Sequence, residues 1–347
     1  MKAPVIVIIG NGLAALTLAQ LLSAKDISII QLIKSKNHST IWLENNQEAF
    51  KASMTDLFPS IDLNQVFKRC DTFVSAWSTT FSDQTNPTVR YNFDKRKLID
   101  AIQSPMHHDI RCIRYLSIAT SEHGGHTWRL TLESEDHKTI SIEADFIVDA
   151  SGRNAIWASR YQTHHLYTDD HICLTELYED ETDQELFCIE SSARGWWYAI
   201  RHHGYIQCSF ITHWIKEFQD YAAMWEHAMG QTYHIKGYRA SKVIHTPLWV
   251  SDSRASILEK TCGPQWLALG DAAYCMDPLC GQGNEEVIKM VQIAAHHIQD
   301  YADHGRFNTS AYDRVLHQSM FNHQKNLSLY YGMEKRWPGQ SFWNARQ

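Results

Sequence analysis

Between an apolar run, Val5 to Ile9, and a helix-patterned run, Leu13 to Leu22, stands Gly10-Asn11-Gly12-Leu13-Ala14-Ala15. A pyrophosphate placed there meets backbone N–H groups at a helix N-terminus. Gly10 allows the tight turn, Gly12 lets the phosphate come close, and Ala15 keeps the third position small for helix-to-strand packing. The spacing predicts a dinucleotide site with Leu13 and Ala14 in its first helical turn, although a bare strand-to-helix turn has the same pattern. The next strand ends Ile30-Gln31-Leu32-Ile33-Lys34, where an acid usually holds the ribose hydroxyls. Gln31, with Lys34 after it, is left as the polar group for that end.

A second, longer group follows the apolar Trp266 to Leu269. It reads Gly270-Asp271-Ala272-Ala273-Tyr274-Cys275-Met276-Asp277-Pro278-Leu279-Cys280-Gly281-Gln282-Gly283-Asn284 and opens a long helical pattern. A helix N-terminus at that point stabilises negative charge on a ring, and the glycines admit the ring to the backbone. Two shorter strings stand apart from these: Asp-Phe-Ile-Val-Asp-Ala-Ser-Gly-Arg at 145–153 and Tyr-Asn-Phe-Asp-Lys-Arg at 91–96.

Strands and helices must bring these pieces together. Val5 to Ile9 and Asp145 to Ala150 read as strands buried on both faces, Leu13 to Leu22 as a helix, and Ile27 to Ile33 as the second strand of a βαβ unit. Helical pattern follows at 48–57 and 63–69, a strand at 89–93 and a helix at 94–102. Alternating runs at 110–118, 127–133 and 139–143 predict a β-meander inserted into the parallel sheet. From 161 to 250 the chain is strand-rich and aromatic, broken by one helix at 215–229, and two helices close it at 285–303 and 309–331. The expected fold class is α/β, a Rossmann-like dinucleotide-binding domain with an inserted antiparallel-sheet substrate domain. Residues 1–72, 94–160 and 255–347 are assigned to the first, and 73–93 and 161–254 to the second.

Composition limits the partners. The chain has 347 residues, 44% of them hydrophobic, enough for a large buried core. A net charge of −7 with scattered basic residues gives no electrostatic basis for nucleic-acid binding. No apolar stretch is long enough to span a membrane, and the reading is a soluble cytoplasmic protein. Eight cysteines occur without Cys-x-x-Cys pairs, as free thiols do. Histidine doublets at 107–108, 164–165, 202–203 and 296–297 point their rings apart along a helix or strand, so no metal site is expected.

The 270–284 string resembles the flavoprotein monooxygenase and flavin-dependent halogenase superfamily, whose fold is of the p-hydroxybenzoate hydroxylase type. The resemblance implies FAD as cofactor, Asp271 on the ribityl chain, and Pro278 beside the isoalloxazine. It also implies that Gly270, Asp277 and the backbone of Gly281, Gln282, Gly283 and Asn284 lie around the flavin. By the same resemblance Asp149, Ala150, Ser151 and Gly152 pack beside the pyrophosphate and Arg96 comes close to FAD.

Gly195-Trp196-Trp197-Tyr198 aligns with a tryptophan-halogenase signature but lacks its second tryptophan and its proline. The halogenases' early Gly-Glu-Ala-Thr-Ile-Pro stretch is replaced by Ile41-Trp42-Leu43-Glu44, and Lys68 is a halogenating lysine by position only. The tail, with Arg336-Trp337-Pro338 and Phe342-Trp343, is most similar to the flavoproteins that mature tryptophylquinone oxidases, the helpers of lysine ε-oxidase and glycine oxidase. That resemblance implies hydroxylation of a tryptophan in a quinone-oxidase precursor protein, through a flavin C4a-hydroperoxide. O2 is then the co-substrate, with NAD(P)H or an external flavin reductase as electron source.

Pro278, Gly281, Gly283 and Asn284 are then the catalytic candidates around the flavin, and Trp197 and Tyr198 those on the substrate side. Trp42, Trp77 and Trp196 are further aromatic candidates for the pocket wall. A hydroxylase or halogenase of a small aromatic molecule, and a maturation chaperone with inert FAD, are the competing readings.

Replacing a charge-assisted ribose contact by a neutral one costs about 1–2 kcal/mol, about tenfold or more in affinity. FAD is therefore expected to be partly lost on purification; a stoichiometric, nanomolar holoprotein in equilibrium dialysis would contradict this.

Overall fold

The computed structural model describes residues 3–346 except 35–40, 79, 83–87, 107–109, 162, 215–219, 240–242 and 245–247. The first histidine doublet and the start of the helix expected at 215 lie outside the described residues. Seven α-helices occur among them: α1 Leu13–Ser23, α2 Glu48–Leu57, α3 Lys95–Met106, α4 Tyr221–Gly230, α5 Gly283–His304, α6 Thr309–Met333 and α7 Ser341–Asn344.

A six-stranded sheet carries the nucleotide motifs. Its strands lie in the order Cys262–Gly263, Trp266–Ala268, Phe146–Asp149, Val5–Ile9, Ser28–Lys34 and Arg111–Tyr115. All but the first run parallel. Ile6 to Ile9 have no solvent exposure, as a strand with helices on both faces requires. Register aligns Ile9 with Asp149, and Asp149 with Ala268, so the three strand ends that carry the motifs finish side by side. Gly10 then turns with φ +129°, and a Cβ there would lie 2.2 Å from the Ala150 carbonyl oxygen. Only glycine fits.

The meander expected at 110–143 differs in one respect. The run at 110–118 divides after Tyr115. Arg111–Tyr115 edges the parallel sheet, and Ser117–His123 pairs with Trp128–Glu133, which pairs with Thr139–Ala144, in a separate antiparallel sheet. The helix expected at 63–69 is a single 3-10 turn, Leu63–Gln65, followed by the strand Lys68–Cys70.

A seven-stranded sheet faces the nucleotide region. Its order is Trp249–Asp252, His171–Glu179, Tyr205–His213, Gly195–His202, Leu186–Ser192, Thr72–Trp77 and Thr80–Ser82. Pairs Ile189↔Tyr198 and Ile189↔Ser75, with Phe187↔Phe73 and Phe187↔Ile200, put alternate residues of three strands on one face. The opposite face takes Val74, Cys188, Trp197, Ala199 and Phe210, which pack on Met224 and Trp225 of α4. Side chains alternate with period two, so Trp196 and Tyr198 share one face and Trp197 must take the other. Trp197 is fully buried, stacked on Phe210 at 4.4 Å and tilted against Trp225 at 4.8 Å between centroids. Its assignment as a catalytic candidate is corrected: it is a core residue.

Between the two large sheets lies a small one, Leu43–Gln47, Arg90–Asp94 and Lys68–Cys70, with Arg90–Asp94 in the middle. No helix among the described residues is long and apolar enough to cross a membrane, and all eight cysteines are free thiols.

Removing a fully buried indole leaves a cavity that the neighbouring rings cannot fill. Trp197→Ala is expected to cost about 3–5 kcal/mol, read as a lower urea midpoint; a midpoint within error of wild type would restore Trp197 as a candidate for the site.

Candidate active site

A cavity of about 940 Å³ opens between the parallel sheet, the small sheet and the aromatic sheet. One wall is backbone. Gly10, Gly12, Leu13 and Ala14 border it, as do Ala150, Ser151 and Gly152, and Gly270, Asp271 and 276–284. Two helices begin there. Gly12 caps α1 and Gln282 caps α5, each without a side-chain hydrogen bond to the helix N-terminus. A Cβ at Gly12 or Gly283 would meet no atom within 4 Å. Helix N-termini without side-chain caps, at the border of a cavity, are what a pyrophosphate at one end and an anionic ring at the other require. The residues present fit FAD.

The loop that precedes α5 is held from both sides. Behind it, the buried Asp277 carboxylate accepts from the Leu279 N–H at 2.8 Å and from the Tyr331 hydroxyl at 3.0 Å. His171 Nδ1 lies 3.3 Å from a carboxylate oxygen of both Asp277 and Asp169. Arg346 Nε donates to His171 Nε2 at 2.7 Å, which leaves the ring proton on Nδ1, toward the two carboxylates. Asp169, His171 and Asp277 thus form one cluster behind the loop. Burial raises the Asp277 carboxyl, but its hydrogen bonds and the nearby His171 outweigh that and hold it below its ordinary value.

In front, Asn284 donates to Glu44 and, at 2.8 Å, to Asn46. Lys95 Nζ donates to Glu44 at 2.8 Å and lies 3.4 Å from the Asn284 amide oxygen. Burial opposes the Lys95 charge, yet Glu44 keeps the ammonium above its ordinary value. Gly281, at φ +59°, ends the 3-10 turn Pro278–Cys280 in the left-handed region, so a side chain there is strained.

The other wall is aromatic. Trp42, Phe73, Trp77, Phe187, Trp196 and Tyr198 border the cavity. Trp77 meets Trp196 edge-on at 6.3 Å and Trp343 at 5.5 Å between centroids. The Trp196 indole N–H donates to the Tyr331 hydroxyl at 3.3 Å, and that of Trp343 to the Ser192 carbonyl at 2.8 Å. The tail residues therefore back the wall rather than forming it. Burial lifts the Tyr198 phenol well above its ordinary value, its hydroxyl lying against Ser209 and Cys173.

Four cofactor candidates from the sequence do not border the cavity. Gln31 donates its side-chain amide to the Gly10 carbonyl at 2.8 Å and is buried; it braces the glycine turn instead of meeting a ribose, and Lys34 borders the cavity at that end. Ala15 faces the core, fully buried. Asp149 accepts from Ser151, Trp157 and Ala158 and fixes the turn that carries the motif. Arg96 lies one residue out of phase, pairing with Asp100 on α3, while Lys95 takes the inward position. Lys68, the positional guess for a halogenating lysine, is exposed on its strand and away from the cavity.

Sequence reasoning missed Glu44, Asn45, Asn46, Lys95 and Arg90. The signal was present: Glu44-Asn45-Asn46-Gln47 is a polar strand that still pairs fully with Arg90–Asp94, and Asn45 and Asn46 are buried. Arg90 uses Nε on Asn45 at 2.5 Å, lies 5.2 Å from the Phe187 ring and sits beside Gly281. Arg90 borders the cavity, where a guanidinium can donate to a carbonyl or carboxylate.

The chain has the fold of the FAD-dependent oxidoreductase and halogenase superfamily, as its motifs lead one to expect. Its structure superposes on that of QhpG, a peptidyl tryptophan dihydroxylase essential for tryptophylquinone cofactor biogenesis, with a TM-score of 0.82 and 17% identity, covering 99% of this chain and 79% of QhpG. The flavin-dependent halogenase CmlS gives a TM-score of 0.82 at 16% identity, covering 100% of this chain and 68% of CmlS. In sequence, the FAD-dependent oxidoreductase LodB of Marinomonas mediterranea is 22% identical over 232 residues, 65% of this chain and 62% of LodB. The match spans about three-fifths of that relative. No family model matches the chain.

The Asp277 carboxyl titrates below its ordinary value of 3.8 in the folded chain. Its contribution to stability is complete above that value and is lost as pH falls through the folded-state value. Asp277→Asn should therefore lower the melting temperature most near neutral pH, with the gap to wild type closing in acid. His171, Asp169, Tyr331, His323 and Arg346 surround the group, so the comparison is made at each pH on both proteins. A gap independent of pH would show that the charge of Asp277 does not hold the loop.

Proposed function

We propose that this chain is an FAD-dependent oxygenase that hydroxylates the indole of a tryptophan in a partner precursor protein, on the path to a tryptophylquinone cofactor. The observation that carries it is the aromatic wall of Trp77, Trp196 and Tyr198 facing the uncapped start of α5. An indole stacks and packs edge-on against such rings. The likeness to LodB and QhpG supports the same reading.

Bound FAD, once reduced by NAD(P)H or a flavin reductase, would supply the two electrons that let O2 place one oxygen on an aromatic carbon and release the other as water. The chain's own groups do the positioning. The α5 N-terminus faces the developing negative charge with its N–H groups. Glu44, Lys95, Asn46 and Asn284 keep that terminus in place. The aromatic wall, with the ring of Tyr198 in it, excludes water from the reacting carbon. Arg90 offers its guanidinium to a main-chain carbonyl beside the target residue.

The test is intact-mass analysis of a candidate precursor after FAD-loaded, anaerobically reduced protein meets O2. A gain of oxygen on the precursor, lost in Asp271→Ala, is expected. A halogen on a free aromatic would favour a halogenase instead. An unmodified precursor that folds only when this protein is present would favour a chaperone.

A further inference from the structure

The surface beside the cavity mouth carries a feature that the flavin site does not use. α6 exposes Phe321 and Leu329 at 63% each, Met333 at 55% and Tyr330 at 53%. Positions 321, 325, 329 and 333 fall in one row along a helix. Tyr330, beside the row, borders the cavity, and its carbonyl accepts the Trp77 indole N–H at 3.2 Å. The row therefore runs past a residue of the cavity rim. Single exposed apolar side chains are ordinary; a run of them that continues into a cavity rim marks a contact surface.

Charge narrows the occupant. From Arg314 to Gln347 the sole carboxylate side chain is Glu334, and it is buried against Arg336 and Ser191. Arg314, Lys325 and Lys335 are exposed. In a chain of net charge −7, α6 from Arg314 onward, with Lys335 just beyond its end, presents cations among apolar side chains and no exposed carboxylate. From Phe321 to Met333 the row is about 18 Å long, the length of about five extended residues.

We propose that this row docks an acidic, apolar segment of polypeptide flanking the tryptophan delivered to the cavity; the inference rests on the reading of the site as a peptidyl-tryptophan oxygenase. The segment lies along α6 with its apolar side chains on Leu329 and Met333 and its carboxylates toward Lys325 and Lys335, and the indole passes Tyr330 to reach Trp77 and Trp196.

Two short labelled peptides test this on the FAD-loaded protein. Each has a central tryptophan and leucines, flanked in one by glutamates and in the other by lysines, and binding is followed by fluorescence anisotropy. The glutamate peptide should bind with an affinity that falls as salt is raised. Leu329→Glu with Met333→Glu should weaken it about tenfold or more, while N-acetyltryptophanamide, read by quenching of flavin fluorescence, enters the cavity with unchanged affinity. Lys325→Glu should weaken the glutamate peptide and strengthen the lysine one. Equal binding of both peptides, or undiminished binding by the double variant, overturns the proposal. So does a wild-type dimer in sedimentation that the double variant separates, which would assign the row to a second copy of the chain. Oxygen added equally by the double variant and wild type removes the docking role and leaves the oxygenase; row-dependent peptide binding without any oxygen addition removes the oxygenase and leaves the docking surface.

Discussion

The buried carboxylate of Asp277 joins three parts of the chain that are far apart in sequence. It receives a hydrogen bond from its own loop through Leu279 and one from α6 through Tyr331, and it lies within reach of His171 on the aromatic sheet. An ion with no solvent exposure costs several kcal/mol to bury unless each lone pair finds a partner. That cost makes the arrangement selective: the loop, α6 and the sheet are placed together or the charge is stranded. The start of α5, on which any anion-stabilising chemistry depends, takes its position from this point.

A second buried charge repeats the logic at the far end of the chain. Glu334 accepts from Ser78, Ser191 and Arg336, and Arg336 also donates to the Ala76 carbonyl. The segment after α6 is thereby fastened across two strands of the aromatic sheet, with Trp337 bonded to Ser191 and Trp343 to Ser192. The conspicuous tail tryptophans have a structural use as supports for Trp77 and Trp196. The family resemblance they carried and their part in the fold are compatible, because the wall they support faces the substrate side of the cavity.

A fold of this kind serves hydroxylation and halogenation alike, so the distinction falls to the side chains in the cavity. Here the ammonium of Lys95 is committed to Glu44, and the small sheet supplies amides and a guanidinium. The wall opposite is rich in indole and phenol rings. That inventory suits the binding and orientation of an aromatic ring attached to a polar backbone.

The sequence by itself determined the nucleotide side. Glycine spacing, apolar runs and helix starts are local properties, and Gly10 to Ala14, Ala150 to Gly152, and Gly270, Asp271 and 276–284 meet at one cavity because the register of the parallel strands ends them together. Period-two alternation along a strand puts Trp196 and Trp197 on opposite faces, a constraint that naming Trp196, Trp197 and Tyr198 together as site candidates did not apply. Tertiary structure decided the rest. Whether Gln31 reaches a ribose or a turn, whether Lys95 or Arg96 points inward, and which polar strand closes the site depend on what lies across the gap. Glu44 and Asn284 are 240 residues apart, and no local pattern encodes a hydrogen bond over that separation. Only packing of the small sheet against the start of α5 brings them into reach.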